Sequence, residues 1–300
     1  MSSPHRDCGA LTATLARVSP QPTVRDLLLE ARPRLAATPF GAPAREASLL
    51  LGQVTGFSEA QILTHPERPV ATAEAARFGA LLERRLTGEP VAYLLGEREF
   101  YGRSFHVDRR VLIPRPETEH VVETALGLHL QAGARILDVG TGSGCLAVTL
   151  ALEIPGSSVV ATDLSPGALA VASGNARRHG VADRVHLVGA DLLAGLDLSR
   201  FDLLVSNPPY IDLAEAPTLS PEVCNFEPHL ALFSPGAGDS TLARLLAQSA
   251  GLPDETPLVI EIGFGQEDAA GRHASASSLQ IAGTCKDYRG IPRVLTLRHR

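Results

Sequence analysis

The chain has 300 residues, of which 44% are hydrophobic, so it can fill a sizeable core, and disorder over most of its length is excluded. Its net charge of −6 is uneven: residues 1–115 carry 15 Arg against 12 acidic residues, whereas residues 116–300 carry 12 basic against 21 acidic residues. Duplex DNA usually demands a basic footprint that neutralises phosphates, so a DNA partner for the acidic second half is disfavoured.

No uninterrupted apolar run reaches the ~18 residues of a membrane span, and the first twenty residues lack the basic start and apolar block of a secretory signal. The four cysteines, Cys8, Cys145, Cys224 and Cys285, are far apart and form no CxxC. Neither a disulfide framework nor a metal site is expected, and a soluble, cytoplasmic protein is. Residues 1–22 are expected to be a disordered tail.

From residue 23 to residue 90 the pattern is helical. Val24, Leu27, Leu28 and Leu35 recur at three- and four-residue steps, and "PAREASLLLGQVTG" starts on Pro43 and stops on Gly56. Ser58 with Gln61 forms a capping-box pattern, and "AEAARFGALLERRLTG" ends on Gly88. Residues 91–114 change character. Val91, Tyr93, Phe100, Tyr101, Phe105, Val107, Val111 and Ile113 are β-formers set around Gly96 and Gly102, which predicts a hairpin-like connector.

Residues 115–300 alternate short apolar runs with helical stretches: "RILDVG", "VVATD", "VHLVGAD", "FDLLVSN", "LVIEIG" and "PRVLTLRH". That alternation predicts an α/β domain with a doubly wound, mostly parallel sheet. "LDVGTGSGCLAV" places Gly140, Gly142 and Gly144 between the first strand and a helix, where backbone without Cβ atoms lets a nucleotide-like ligand approach. A dinucleotide fingerprint would need its third glycine at Cys145, so an NAD site is disfavoured. Asp163 and Asp191 close the next two runs, and Asp163 is placed to accept hydrogen bonds from ribose hydroxyls, unless it caps the following helix. Loop and acids in this order resemble the Rossmann-like S-adenosylmethionine-dependent methyltransferases. In that class the second-strand acid holds the ribose and the third-strand acid reads the adenine.

The run "LLVSNPPYI" ends on Asn207, Pro208, Pro209 and Tyr210. Two prolines make a stiff turn with few donors, so the Asn207 side-chain oxygen and the Pro208 carbonyl could take both hydrogens of a planar NH₂, with Tyr210 stacking on it. Adenine N6, cytosine N4 and glutamine N5 all present such a group, and the motif does not choose among them. A DNA or RNA amino-methyltransferase is therefore the alternative enzyme, and an adapter that only retains the fold is the alternative from another class.

"RRLTGEPVAYLLGEREFYGRSFHVDRRVLIPRPETEHVVE", "ILDVGTGSGCLAV", "VSNPPYI", "SPEVCNFEPHLAL" and "IEIGFGQ" together resemble the peptide chain release factor glutamine methyltransferase family, over roughly residues 24–299. The resemblance implies methyl transfer from S-adenosylmethionine to N5 of the glutamine in the Gly-Gly-Gln motif of class I release factors. It also implies no metal, no direct nucleic-acid requirement, no membrane, a monomer, and a helical unit that docks the substrate. The donor site it implies comprises Asp138, Gly140, Thr141, Gly142, Ser143, Gly144, Asp163, Asp191, Leu192 and Asn207. The glutamine would be held by Asn207, Pro208, Pro209 and Tyr210, with Asn207, Pro208 and Tyr210 catalytic. Leu192 departs from the family, where the residue after the third-strand acid is often aromatic, and so does "FSPGAGDSTL". In "RPETE", Glu117 and Glu119 are left out of the site, because Thr118 or Glu119 reads as a helix cap.

Overall fold

The computed structural model describes residues 21–300, so the expected tail, apart from residues 21 and 22, lies outside the described residues. The chain divides into two compact units, with the division between Glu83 and Arg84.

The first unit is helical: α1 (Val24–Ala36), α2 (Pro43–Thr55), α3 (Glu59–Thr64) and α4 (Thr72–Leu86), inside which the division falls. Val24, Leu27, Leu28 and Leu35 are buried, as their spacing predicts. At the start of α1, Thr23 and Asp26 cap each other reciprocally. Ser58 does the same with Gln61 at α3, its Oγ accepting the Gln61 N–H at 3.2 Å. Gly56, at φ 72°, closes α2 in the left-handed conformation that glycine adopts without strain.

The second unit opens with α5 (Val91–Leu95), then the hairpin of β1 (Glu97–Phe100) and β2 (Arg103–His106). Its turn holds Tyr101 at φ 51° and Gly102 at φ 69°, both left-handed as a two-residue hairpin turn requires. The hairpin is shorter than the connector's β-formers suggest. Val91 and Tyr93 lie in α5, which starts after Pro90 and is stopped by left-handed Gly96. Val107, Val111 and Ile113 are apolar because they pack with Ala168 and Val171 of a later helix.

A 3-10 turn, Pro116–Thr118, leads into α6 (Glu119–Gly127), and the main sheet follows. It is built from β3 (Arg135–Val139), α7 (Cys145–Glu153), β4 (Ser158–Asp163), α8 (Pro166–Arg178), β5 (Val185–Gly189) and β6 (Leu203–Ser206). A small lobe comes next: β7 (Ile211–Asp212), α9 (Pro221–Phe226), α10 (His229–Leu232) and β8 (Phe233–Ser234), in which β7 and β8 pair. Then come α11 (Ser240–Gln248), β9 (Leu258–Glu261), α12 (Glu267–Ala276), β10 (Leu279–Lys286) and β11 (Pro292–His299).

The seven-stranded order is β10-β11-β9-β6-β3-β4-β5. Strands β9 to β5 run parallel, whereas β11 is antiparallel to both β9 and β10. β10, "LQIAGTCK", escapes the sequence reading for a physical reason. It is an edge strand with a register irregularity between Ile281 and Gly283 and mostly exposed residues, so no alternation marks it. One face of the sheet packs on α6 and α7 through Val121, Leu146 and Leu150. The other packs on α11 and α12 through Leu245, Leu246 and Ala270. Among the described residues no helix is long and apolar enough to cross a membrane.

The sheet order reverses between β3 and β6, because the chain builds outward from β3 to β5 and then returns to β3's other side. In an open α/β sheet the crevice at the strands' carboxyl ends at such a point is where ligands bind. A single rung aligns Ile260, Ser206, Val139 and Thr162 across β9, β6, β3 and β4. The residues that follow on each strand are Glu261, Asn207, Gly140 and Asp163, so the topology alone carries these four to one edge.

Candidate active site

The loop after β3 is bound to β4 by its backbone: Gly140 and Thr141 N–H both donate to the Thr162 carbonyl at 2.9 Å, and Gly142 N–H donates to Asp163 Oδ2 at 2.9 Å. Gly140 and Gly142 have φ of 75° and 55°, and a Cβ on either would meet no protein atom within 4 Å. Gly144 serves packing instead, since a Cβ there would lie 3.1 Å from that of Ala172. Asp163 is not a helix cap, a role taken by Ser165, whose Oγ accepts the Ala168 N–H at 3.2 Å. Its carboxylate accepts the Gly142 and Ser165 N–H groups and still faces a cavity.

That cavity, of about 350 Å³, is lined by Gly140, Gly142, Asp163, Asp191, Leu192, Asn207 and Pro209, and by Arg110 and Leu112 of the connector. Leu192 enters its wall at φ 57°, a left-handed conformation that disfavours a branched side chain. Asp191 is tied to Arg244 at 2.6 Å, and both line the wall. Not every expected donor-site residue does. Asp138 is fully buried, accepting from Thr141 Oγ1 at 2.6 Å, and Thr141, Ser143 and Gly144 likewise do not line the cavity. The Ser143 carbonyl accepts from Asn175, which also holds the His106 backbone and so fixes the hairpin to the loop.

A second cavity, of about 250 Å³, is lined by Asn207, Pro208, Pro209, Tyr210, Arg115 and Leu112. The two cavities therefore share Asn207, Pro209 and Leu112 as a common wall. The divergent "FSPGAGDSTL" backs this wall. Gly238 passes so close to the Tyr210 carbonyl that a Cβ would lie 2.5 Å from its oxygen, and Gln266 donates to the same carbonyl at 2.9 Å. Glu227, from "EPHLAL", is buried and pairs with Arg115 at 2.6 Å while accepting the Ile113 N–H at 3.2 Å, which holds the connector over the site.

Thr118 does not cap α6; no capping hydrogen bond forms there. Its hydroxyl donates to Glu261 Oε2 at 2.7 Å and accepts from Asn207 Nδ2 at 3.0 Å. The Tyr210 hydroxyl approaches Glu261 Oε1 at 3.4 Å. Glu119 accepts the Tyr101 N–H at 2.8 Å, a structural bond at the hairpin turn. Thr118 and Glu261 are thus the site-edge residues that sequence reasoning missed. The available signal was a glutamate inside the apolar run "LVIEIG", since a fully buried carboxylate needs partners.

Burial raises the pKa of both Asp138 and Glu261 to about 7. Each carboxyl then holds in the folded state a proton that the unfolded chain has released above about pH 4, so these groups withdraw stability as pH rises through 4 to 7. The melting temperature is expected to fall between about pH 4.5 and pH 7, and Asp138→Asn should flatten that fall. A melting temperature that rises over this interval would contradict the assignment.

Two cavities thus meet at an Asn-Pro-Pro-Tyr turn on the edge of a Rossmann-like sheet. The methyltransferase small domain model matches residues 123–220. The same fold occurs in the crystal structure of the hMettl16 catalytic domain in complex with MAT2A 3'UTR hairpin 6, at a TM-score of 0.53 and 19% identity, covering 76% of this chain and 82% of that one.

The particular family follows from the whole chain. The PrmC N-terminal domain model matches residues 26–96. Release factor glutamine methyltransferase of Nitratidesulfovibrio vulgaris is 42% identical over 280 residues, covering 92% of this chain and 95% of that protein. The Chlorobaculum tepidum protein of the same name is 48% identical over 264 residues, covering 85% and 90%. The chain belongs to the release factor glutamine methyltransferase family.

Proposed function

We propose that the chain transfers a methyl group from S-adenosylmethionine to N5 of the glutamine in the Gly-Gly-Gln motif of class I peptide chain release factors. The observation that carries this reading, beside family membership, is the pair of cavities that meet at Asn207 and Pro209. The residues of the larger one fit S-adenosylmethionine. Open glycine backbone suits its methionine part, the Asp163 carboxylate suits ribose hydroxyls, and Leu192 offers an apolar wall to adenine. When bound, the donor supplies an electrophilic methyl on a sulfonium.

The chain's own part is to prepare the nitrogen. An amide nitrogen is a poor nucleophile because its lone pair is delocalised. Asn207 Oδ1 and the Pro208 carbonyl accept its two hydrogens, raise its electron density and hold one face toward the donor cavity. Tyr210, whose hydroxyl is held neutral by burial, packs on the planar amide. No metal is invoked, and the reaction is placed in the cytoplasm, where release factors act.

The helical unit, expected at residues 23–90, docks the release factor, a role supported by its separateness. Nucleic acid is the second substrate class. The acidic balance of residues 116–300 speaks against it, and a likeness of fold to an RNA-bound domain supports no more than the fold.

One assay with labelled donor tests these points together. Label is expected in release factor and not in DNA or RNA, and a chain lacking residues 1–90 should lose activity on intact release factor. Label entering nucleic acid alone would overturn the substrate, and full activity of the truncated chain would overturn the docking role.

A further inference from the structure

Asn207 is useful only in one orientation. If its amide were turned end for end, an NH₂ would face the glutamine NH₂, and donor would meet donor. The backbone does not decide between the two, because the oxygen and nitrogen ends have nearly the same shape. The surroundings decide it.

Three elements converge behind the side chain: the 3-10 turn brings Thr118, the end of β6 brings Asn207, and the last residue of β9 brings Glu261. Thr118 and Glu261 are each 2% exposed, so water cannot substitute for either partner. A hydroxyl has one proton. That of Thr118 goes to Glu261 Oε2 at 2.7 Å, because an ionised carboxylate can only accept. The Thr118 oxygen then meets Asn207 as an acceptor, and the end of the amide that can answer is Nδ2, at 3.0 Å. Oδ1 is left facing away from Thr118. We infer that Thr118 and Glu261 are positioning residues that lock the Asn207 amide with its oxygen toward the acceptor nitrogen. The inference deepens the transfer reading above and rests on it. The same chain of bonds polarises the amide, since each link strengthens the next in a low-dielectric interior.

The lock has a condition, which is that Glu261 is ionised. Its charged and titratable neighbours are Glu117 on the 3-10 turn, Tyr210 after β6, Arg293 on β11 and the Cys145 thiol at the start of α7, and burial outweighs them in raising its pKa to about 7. A protonated Glu261 can donate to Thr118, releasing the Thr118 proton toward Asn207 and favouring the unproductive orientation.

The test uses the full chain with saturating S-adenosylmethionine and release factor. Thr118→Val is expected to lower kcat roughly tenfold to a hundredfold with the KM for the donor unchanged, and Thr118→Ser to restore most of it. The kcat of the unmodified chain should fall as pH drops below about 7, and Glu261→Gln should abolish that dependence. Wild-type kcat in Thr118→Val, or equal losses in the Val and Ser variants, would overturn the lock, as would a kcat independent of pH. One readout needs no acceptor at all. The Asn207 side-chain amide resonances, assigned by their disappearance in Asn207→Ala, should move in Thr118→Val and stay near their original place in Thr118→Ser. Unmoved resonances refute the lock whatever the acceptor is, whereas moved resonances without methylation of release factor refute the substrate and leave the lock standing.

Discussion

Asn207→Ala is expected to reduce kcat by roughly two to three orders of magnitude, in the range seen when one preorganised polar group is removed from a transition state. Half of the acceptor pair disappears, and the glutamine nitrogen loses both electron density and a fixed face. The donor's KM should change by no more than a few-fold, because Asn207 forms only the shared wall of the larger cavity, while Gly140, Gly142 and Asp163 remain. Folding should persist, since β6 is pinned independently by the Ser206 hydroxyl on the Val139 carbonyl at 2.7 Å. Steady-state kinetics with a melting curve of each variant checks this. A variant that folds and transfers at the unmodified rate would remove the Asn-Pro-Pro-Tyr turn from the chemistry.

Asp163→Ala should act on the other cavity. Hydrogen bonds to a charged group contribute about 1.5–3 kcal/mol each, so losing two ribose contacts should weaken donor binding by roughly a hundredfold or more. Part of that loss comes from the loop itself, because Asp163 also accepts the Gly142 N–H. Asp163→Asn keeps one of the two backbone contacts: its amide oxygen can receive the Gly142 N–H, but its NH₂ then faces the Ser165 N–H, and the charge that strengthens the ribose contacts is gone. Calorimetry with S-adenosylmethionine is the measurement. Unchanged affinity in Asp163→Ala would mean that the larger cavity is not the donor site.

What could be read in the sequence was what is local. The buried strands β3, β6 and β9 are short, mostly apolar runs with clear ends, and the ends of β3, β4 and β6 carry the glycine loop, Asp163 and Asn207. Sequence adjacency makes such features visible. Whatever depends on distant segments was hidden. Thr118 and Asn207 are 89 positions apart, and Thr118 and Glu261 are 143 apart, so no spacing rule links them. A helix start was the nearest local explanation for Thr118, and the tertiary partner overrode it.

The connector shows the same limit from another side. Val91 and Tyr93 have strand propensities, yet the chain stops between Pro90 and Gly96 favour a single helical turn, and Tyr93 then reaches the Val111 carbonyl at 2.6 Å. The left-handed Leu192 had no signal at all, because nothing in the residue type announces the conformation. The segment around Gly238, which the sequence reading sets apart from the family pattern, has a legible role in three dimensions, packing under Tyr210.

The central claim is that the nitrogen presented at Asn207 belongs to a release factor glutamine. Its most direct measurement is fragmentation mass spectrometry of the Gly-Gly-Gln peptide, taken from a class I release factor incubated with S-adenosylmethionine and either the unmodified chain or Asn207→Ala. The unmodified chain should add one methyl group to the glutamine side chain, and Asn207→Ala should leave the peptide essentially unmodified over the same interval. A methyl group on any other residue, or none on the glutamine from an unmodified chain that binds the donor, would contradict the account.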